Sequence, residues 1–135
     1  MKPHLIDLPK ILDPRGNLTF MENPRNIPFI IERVFWTYDV PGGEKRGCHA
    51  YKLQQEIIIA LSGSFDVIIT NTDGEEQKFQ LNRSYYGLYL PPLTWRRMEN
   101  FSTNSLSLHL SSLQFDETDY FRDFDQFKMI VVNEK

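Results

Sequence analysis

His49 and Tyr51 are the two side chains of this sequence whose types and spacing are best suited to moving protons. They lie two residues apart in the run 46–52. If this run is a strand, both side chains point to one face, because side chains alternate along a strand. An imidazole titrates near about pH 6.5 and a tyrosine near about pH 10. His49 is therefore predicted to be the base, and Tyr51 a hydrogen-bond donor unless a cation lowers its pKa.

Charged side chains close to this pair in the sequence, or on a later predicted strand, could complete a pocket. Arg46, Lys52 and Arg96 are the cations that could lower the pKa of Tyr51 if they face it. Glu56 is predicted to lie inside or at the rim of the fold, where an unpaired carboxylate is costly, and Arg96 is its candidate partner. Arg46 is also the best candidate to bind phosphate or sugar oxygens, because the arginine fork matches phosphate geometry.

Other residues each have two interpretations. Arg15 follows a turn at residues 13–17 that could lie at a pocket mouth, and Arg33 could bind a ligand, but either could be an ordinary surface charge. Tyr38 could line a pocket or fill it. His109 is interpreted as a buried structural histidine.

The elements that must position these residues are predicted to be short strands. Apolar or alternating runs are separated by turn residues, and Ser62-Gly63-Ser64 marks a hairpin. Strict alternation at 105–110 is typical of a half-buried strand. Many short strands at regular spacing favour an all-β sandwich or barrel. The strands are predicted at residues 18–21, 29–38, 56–61, 65–70, 77–81, 85–90, 95–101 and 105–111.

The C-terminal part of the chain changes character. Tyr120, Phe121 and Phe124 have helical spacing, and Asp116 or Thr118 could be the N-cap of a short helix. This helix is predicted to pack on the barrel as an appendage.

Composition limits the class of protein. The 135 residues fit one domain spanning 1–135, and the formal net charge of -3 argues against a nucleic-acid binder. Cys48 is the single cysteine and cannot form an internal disulfide. The N-terminal residues do not resemble a signal peptide, and no stretch approaches the roughly 20 apolar residues of a membrane span. These features predict a cytoplasmic protein that contacts neither nucleic acid nor membrane.

The segment from Gly47 to Gly63 resembles the first motif of the cupins, and Pro91 to Asn100 resembles the second. The resemblance implies a jelly-roll barrel. A metal-binding cupin would take its ligands from the positions of His49, Tyr51, Glu56 and Arg96. Arginine offers no lone pair, and a histidine and a carboxylate alone are too few ligands for a tight transition-metal site. No metal is therefore expected.

A closer resemblance extends over residues 6–127. The chain looks like the bacterial nucleotide-sugar 3,4-ketoisomerases, also described as the WxcM-like C-terminal cupin group. The segments that carry this likeness are Arg33-Val34-Phe35, Arg46-Gly47-x-His49-Ala50-x-Lys52, Gly87-Leu88-Tyr89-x-Pro91-Pro92, Trp95 and Phe115-Asp116-Glu117-Thr118-Asp119-Tyr120-x-Arg122.

This resemblance implies a homodimeric, metal-free isomerase without a cofactor. Its substrate would be a dTDP-linked 6-deoxyhexose whose 4-keto form is converted to the 3-keto form through an enediol. Such sugars serve the synthesis of deoxy- and aminosugars for surface glycans such as lipopolysaccharide. The family's paired histidines take part in the proton transfer. His49 matches the first, and Tyr51 replaces the second.

Two alternative functions follow from the same residues. Loss of the second histidine is consistent with a non-catalytic module that only binds the nucleotide sugar. A metal-dependent cupin, such as an oxygenase or a mannose isomerase-like enzyme, is the other alternative. The residues predicted to bind substrate are Arg46, Arg15, Arg33, Arg96, Glu56 and Tyr38.

Overall fold

A computed structural model describes residues 2–133 and shows strands arranged in two five-stranded sheets and one small sheet. The strands are β1 (His4–Asp7), β2 (Lys10–Ile11), β3 (Leu18–Thr19), β4 (Arg33–Tyr38), β5 (Arg46–Tyr51), β6 (Glu56–Ser62), β7 (Phe65–Thr70), β8 (Glu76–Leu81), β9 (Tyr86–Leu90), β10 (Trp95–Glu99), β11 (Leu106–Ser111) and β12 (Tyr120–Phe121). A 3-10 turn at Glu117–Asp119 precedes β12, and one helix, α1 (Phe124–Asn133), follows it. The predicted all-β jelly roll with a short C-terminal helix is confirmed.

The strand order explains how distant residues meet. One sheet has the order β1-β9-β6-β11-β4 and the other the order β12-β5-β10-β7-β8, while β2 and β3 form the small sheet. The pairs described in these sheets are antiparallel. The large sheets bring β5, β6, β10 and β11 around one interior. These four strands carry the predicted catalytic pair and its charged neighbours.

The two faces of β6 have different partners. Ile58 and Ala60 belong to the buried cluster that also contains Phe65 of β7 and Leu88 of β9. Ile57 and Ile59 belong to a second cluster, which includes residues of the N-terminal segment such as Phe29. Both faces of β6 are therefore buried over residues 56–60, which explains why residues 57–60 form a continuous apolar run rather than an alternating one.

The C-terminal segment differs from the prediction. Tyr120 and Phe121 form strand β12, and the helix begins only at Phe124. Asp116 is the N-cap, but of the 3-10 turn, where its side chain accepts the backbone N–H of Thr118. The open edge of β5 supplies backbone partners for residues 120 and 121, and this tertiary pairing overrides the local helical spacing. The predicted helix spanning Tyr120 to Phe124 is therefore wrong in position.

Among the described residues, no helix is both long enough and apolar enough to cross a membrane.

Candidate active site

Four of the predicted chemical residues, Arg46, His49, Tyr51 and Arg96, line one cavity of about 270 Å³ at the interior of the barrel. Its walls come from β4, β5, β10 and β11 and from the C-terminal segment. The lining residues are Phe35, Thr37, Arg46, Gly47, Cys48, His49, Tyr51, Arg96, Met98, His109, Tyr120 and Arg122. A larger cavity of about 460 Å³ lies between the 71–73 turn, the 91–94 loop and α1. Among the described residues, the titratable ones in its lining are Lys2 and Asp73, so the smaller cavity is the one equipped for proton chemistry.

Arg96, which lines this cavity, forms a buried ion pair with Glu56. Arg96 Nη1 lies 2.5 Å from Glu56 Oε1, and both side chains are almost completely buried. Burial alone would raise the pKa of Glu56, but the charge of Arg96 and the contact with His109 outweigh it and lower that pKa to about 2. This is the partner that the sequence predicts for Glu56. The pair holds the guanidinium of Arg96 in place inside the barrel.

His109 extends the ion pair across β11. Its Nδ1 lies 3.1 Å from Glu56 Oε2, and its Nε2 lies 2.9 Å from the hydroxyl of Ser107. The ring stacks on Phe35 with centroids 4.5 Å apart. The sequence predicts a structural role for His109, yet this residue lines the cavity. The sequence of β11 could have indicated this position, because its alternation places the serines and His109 on one face of the strand and the leucines on the other.

That polar face points inward. Ser107, His109 and Ser111 are fully buried, whereas Leu106 and Leu108 are only partly buried. The alternation predicted the strand correctly. It did not show that the barrel interior accepts the polar face, because that depends on Glu56, which lies 53 residues away from His109 in sequence.

His49 is held in a neutral state. Its Nε2 lies 2.9 Å from Nη2 of Arg96. A guanidinium can only donate, so Nε2 must be the acceptor and the ring proton must lie on Nδ1. Burial, followed by the charge of Arg96, lowers the pKa of His49 to about 3. At neutral pH this histidine is therefore an uncharged imidazole with a defined tautomer.

Tyr51 shares the inward face with His49, as the spacing predicts. Its ring is 4.8 Å from that of His49, and the guanidinium carbon of Arg96 lies 4.9 Å from its ring centroid. Burial and the charge of Glu56 raise the pKa of Tyr51 although Arg96 opposes them. The hypothesis that a cation lowers this pKa is therefore wrong. Tyr51 is protonated and donates its hydroxyl hydrogen to Tyr120, with an oxygen separation of 3.3 Å.

Tyr120 reaches the cavity because β12 pairs with β5. In this register Tyr120 is directly opposite Tyr51. The carboxylate of Asp119 accepts the backbone N–H groups of Leu53 and Gln54 and ties the two segments together. Arg122 lies 4.2 Å above the Tyr120 ring. The C-terminal segment thus forms a wall of the cavity, and its interpretation as a mere appendage is wrong for this part.

Of the other predicted binding residues, some lie at the cavity and some do not. Arg46 lines it. Arg33 is outside its lining but donates to Gln54 and lies 4.7 Å from the ring centroid of Phe35, which is a cavity residue. Tyr38 is 62% exposed and lines a neighbouring surface depression together with Arg46. Arg15 is in an exposed turn, paired with Asp13. The binding roles of these residues stay predictions.

The donor set does not suit a metal ion. The lone pair of His49 Nε2 is taken by Arg96, and the oxygens of Glu56 face Arg96 and His109. An ion placed between them would meet the guanidinium charge. Within residues 2–133, no group of three or more His, Cys, Asp or Glu side chains is placed to hold one.

A jelly-roll barrel with a neutral histidine, a buried arginine and a protonated tyrosine around one cavity defines a cupin-type protein equipped for proton transfer. A family model described as FdtA: WxcM-like, C-terminal, matches residues 1–132. The chain therefore belongs to the WxcM-like, C-terminal family, which confirms the resemblance found in the sequence.

Characterised relatives cover almost the whole chain. TDP-4-oxo-6-deoxy-alpha-D-glucose-3,4-oxoisomerase of Aneurinibacillus thermoaerophilus is 39% identical over 132 residues, covering 97% of this chain and 94% of the relative. The crystal structure of QdtA, a sugar 3,4-ketoisomerase of Thermoanaerobacterium thermosaccharolyticum in complex with TDP, is 35% identical. It superimposes with a TM-score of 0.95 over 98% of this chain and 96% of its own. The WlaRB TDP-quinovose 3,4-ketoisomerase of Campylobacter jejuni is 37% identical, with a TM-score of 0.87 over 94% and 97% of the two chains.

Proposed function

We propose that this protein is a 3,4-ketoisomerase that converts a dTDP-linked 4-keto-6-deoxyhexose to its 3-keto isomer. The observation that carries the proposal is the cavity in which His49, Arg96 and Tyr51 converge on one side of the barrel. The relatives named above catalyse this class of reaction on TDP-linked sugars. The cavity of about 270 Å³ has room for a sugar ring, while the nucleotide would extend beyond it.

The reaction needs a base at C3 and a positive charge near O4. We assign the base to His49 and the charge to Arg96. In the resting enzyme, Arg96 occupies the lone pair of His49. When the sugar binds, Arg96 donates to the carbonyl oxygen instead, and Nε2 becomes free to take the C3 proton. The pKa of His49 is lowered first by burial and then by the charge of Arg96. Negative charge on the enediolate offsets the second of these causes, so the base strengthens as the proton moves.

The nucleotide is assigned to the arginine-rich side of the cavity. Arg33 has a buried Nε without a partner among the described residues, and the neighbouring Gln54 has a buried amide nitrogen in the same condition. Buried donors without acceptors are unfavourable, so an acceptor on the ligand would stabilise both. Arg46 is assigned to the diphosphate. Arg15 and Tyr38 are retained as predicted outer contacts of the substrate.

The remaining properties follow from family resemblance and from the site. The enzyme is proposed to act without metal or cofactor because Arg96 supplies the positive charge that a metal would otherwise bring. It is proposed to be a cytoplasmic homodimer that contributes to surface-glycan synthesis. A row of exposed apolar side chains on β4, formed by Val34, Trp36 and Tyr38, is the surface assigned to the second copy. Sedimentation should show that the wild-type protein is a dimer. The variant Trp36→Ser should dissociate into monomers at higher protein concentrations than the wild type.

The experiment that tests the activity is incubation with a dTDP-linked 4-keto-6-deoxyhexose in deuterated water. Proton NMR should show loss of the C3 hydrogen signal and the appearance of a 3-keto species. Absence of both, across several nucleotide sugars that bind, would refute the proposal.

A second candidate function is a module that binds the nucleotide sugar without converting it. The observation that favours it is the protonated state of Tyr51, which removes one of the two bases of the family's histidine pair. The variant Tyr51→His separates the candidates. Activity that appears only in this variant would identify the natural protein as a binder.

A further inference from the structure

We propose that the hydroxyls of Tyr51 and Tyr120 form a relay that carries a proton between the O3 and O4 atoms of the sugar. The inference rests on the proposed isomerase function and assigns a catalytic role to Tyr120. It also explains how Tyr51 can replace a histidine, since the pair supplies a proton path that needs no second base.

The geometry of the pair suits two neighbouring oxygens. The two hydroxyl oxygens are 3.3 Å apart, with Tyr51 donating to Tyr120. The hydrogen of Tyr120 is therefore free to point at a ligand. Both residues line the cavity. Vicinal oxygens of a planar enediol lie about one hydrogen-bond length apart, which is close to the spacing of the two hydroxyls.

The surroundings fix the rings as well as the hydroxyls. The ring centroids of Tyr51 and Tyr120 are 4.7 Å apart, and the His49 ring is within 5.0 Å of both. Arg96 lies over the ring of Tyr51 and Arg122 over the ring of Tyr120. Arg122 is in turn held by Glu117, 2.8 Å away. The two phenols are thus clamped between two guanidinium groups.

The reaction requires the movement that such a relay provides. Removal of the C3 proton leaves O4 negative and O3 still protonated, whereas the 3-keto product has O4 protonated and O3 as a carbonyl. In the relay, the Tyr120 O–H bond breaks and its proton goes to O4. Tyr120 takes the proton of Tyr51, and Tyr51 takes the proton of O3. Negative charge moves from O4 to O3, both tyrosines end as they began, and C4 then receives the carbon-bound proton.

This step needs tyrosines that stay protonated. A phenolate would hold no proton to give to O4. The raised pKa of Tyr51, caused first by burial, keeps its hydroxyl intact at neutral pH. A base at this position would instead compete with His49 for the C3 proton. The replacement of histidine by Tyr51 therefore separates carbon proton transfer, at His49, from oxygen proton transfer, at the tyrosine pair.

The test compares hydrogen exchange with conversion in Tyr51→Phe, Tyr120→Phe and the double variant. In deuterated water, each variant should still incorporate deuterium at C3 of recovered substrate, while conversion to the 3-keto product falls on the order of 10²-fold. The ratio of exchange to conversion should rise equally in both single variants. The double variant should be no slower than either, because the two hydroxyls act as one unit.

Tyr89→Phe is the matched control, because Tyr89 is a buried tyrosine whose hydroxyl is bonded to Gln55, outside the cavity lining. It should leave the ratio unchanged. An unchanged ratio in Tyr120→Phe, or a double variant whose loss is the product of the single losses, would overturn the relay while leaving the isomerase intact. Wild type that neither exchanges nor converts would overturn both proposals.

A measurement on unmodified protein guards against variants that fail to fold. The conversion rate of wild type in mixtures of light and heavy water should curve with deuterium fraction, because several protons move together. A linear dependence would contradict the relay.

Discussion

The barrel interior has a polar half and an apolar half, and strands β6 and β10 contribute residues to both. The polar half consists of Glu56, Arg96, His109, His49 and Tyr51. The apolar half consists of Ile58, Val67, Leu88, Phe65 and Met98. Glu56 and Ile58 are two residues apart on β6, and Arg96 and Met98 are two apart on β10. On each of these strands, the charged residue and the core residue are therefore neighbours on the same face.

The difference shows how the fold supports an unfavourable site. Apolar side chains stabilise wherever they are buried, whereas a buried ion pair often contributes no more than hydrophobic residues of similar size would. The burial of the apolar half therefore stabilises the fold that holds the polar half, and the ion pair of the polar half contributes little to that stability. What the polar half contributes is the guanidinium of Arg96, which Glu56 holds at the cavity.

The largest change in the free energy of unfolding is expected when the carboxylate of Glu56 is removed from the polar half. Glu56→Gln should destabilise the fold by about 3–5 kcal/mol, because it leaves the buried Arg96 without its counter-charge. Urea unfolding at pH 7 measures this loss. The double variant Glu56→Leu/Arg96→Met should recover much of the stability but no isomerase activity. A stable, inactive double variant would sharpen the comparison, and an active one would contradict the role of Arg96.

A smaller effect is expected from pH. The pKa of His49 is lowered to about 3, so the unfolded chain binds its proton first and stability falls as the pH drops below about 6.5. Glu56, whose pKa is lowered to about 2, loses its stabilising charge only below about pH 4.5. In His49→Gln, the urea midpoint should therefore change less between pH 6.5 and 4.5 than in wild type. Equal slopes in the two proteins would show that His49 is not held neutral.

The smallest effect is expected in the apolar half. Ile58→Val should cost about 0.5–1.5 kcal/mol for one lost methylene. It should leave turnover and the pH dependence of stability unchanged, because Ile58 is not part of the polar group. Urea unfolding and the deuterium exchange assay measure both. A large loss of activity would mean that the two halves are coupled more tightly than their contacts indicate.

Local patterns predicted much of the fold. The run of β7 matched Phe65–Thr70 at both ends, and the predicted strands near β9, β10 and β11 differed by one or two residues at their ends. The shared face of His49 and Tyr51 and the pairing of Glu56 with Arg96 were also predicted. These features depend on the strand period and on the cost of a lone buried charge, both of which are readable from sequence.

The rest of the site depends on pairings between distant segments. Tyr120 was assigned to a helix because its spacing to Phe124 is helical, and nothing local indicates that β5 needs a partner there. His109 is held at the cavity by Glu56 and Phe35, which lie on other strands. Arg15 lies in an exposed turn, paired with Asp13, and its binding role stays a prediction. Sequence patterns show which side chains share one face of a strand, but they do not show which distant strand packs or pairs with it.

The pairing of Tyr51 with Tyr120 joins residues 69 positions apart in the chain. During synthesis, β5 leaves the ribosome long before β12 exists, so its outer edge has no strand to meet and is open to other chains. The cavity is also without one wall until that moment. Catalytic competence is thus among the last properties that the nascent chain acquires. A chain interrupted before residue 120 would lack Tyr120 and therefore the contact with Tyr51 on which the proposed relay depends.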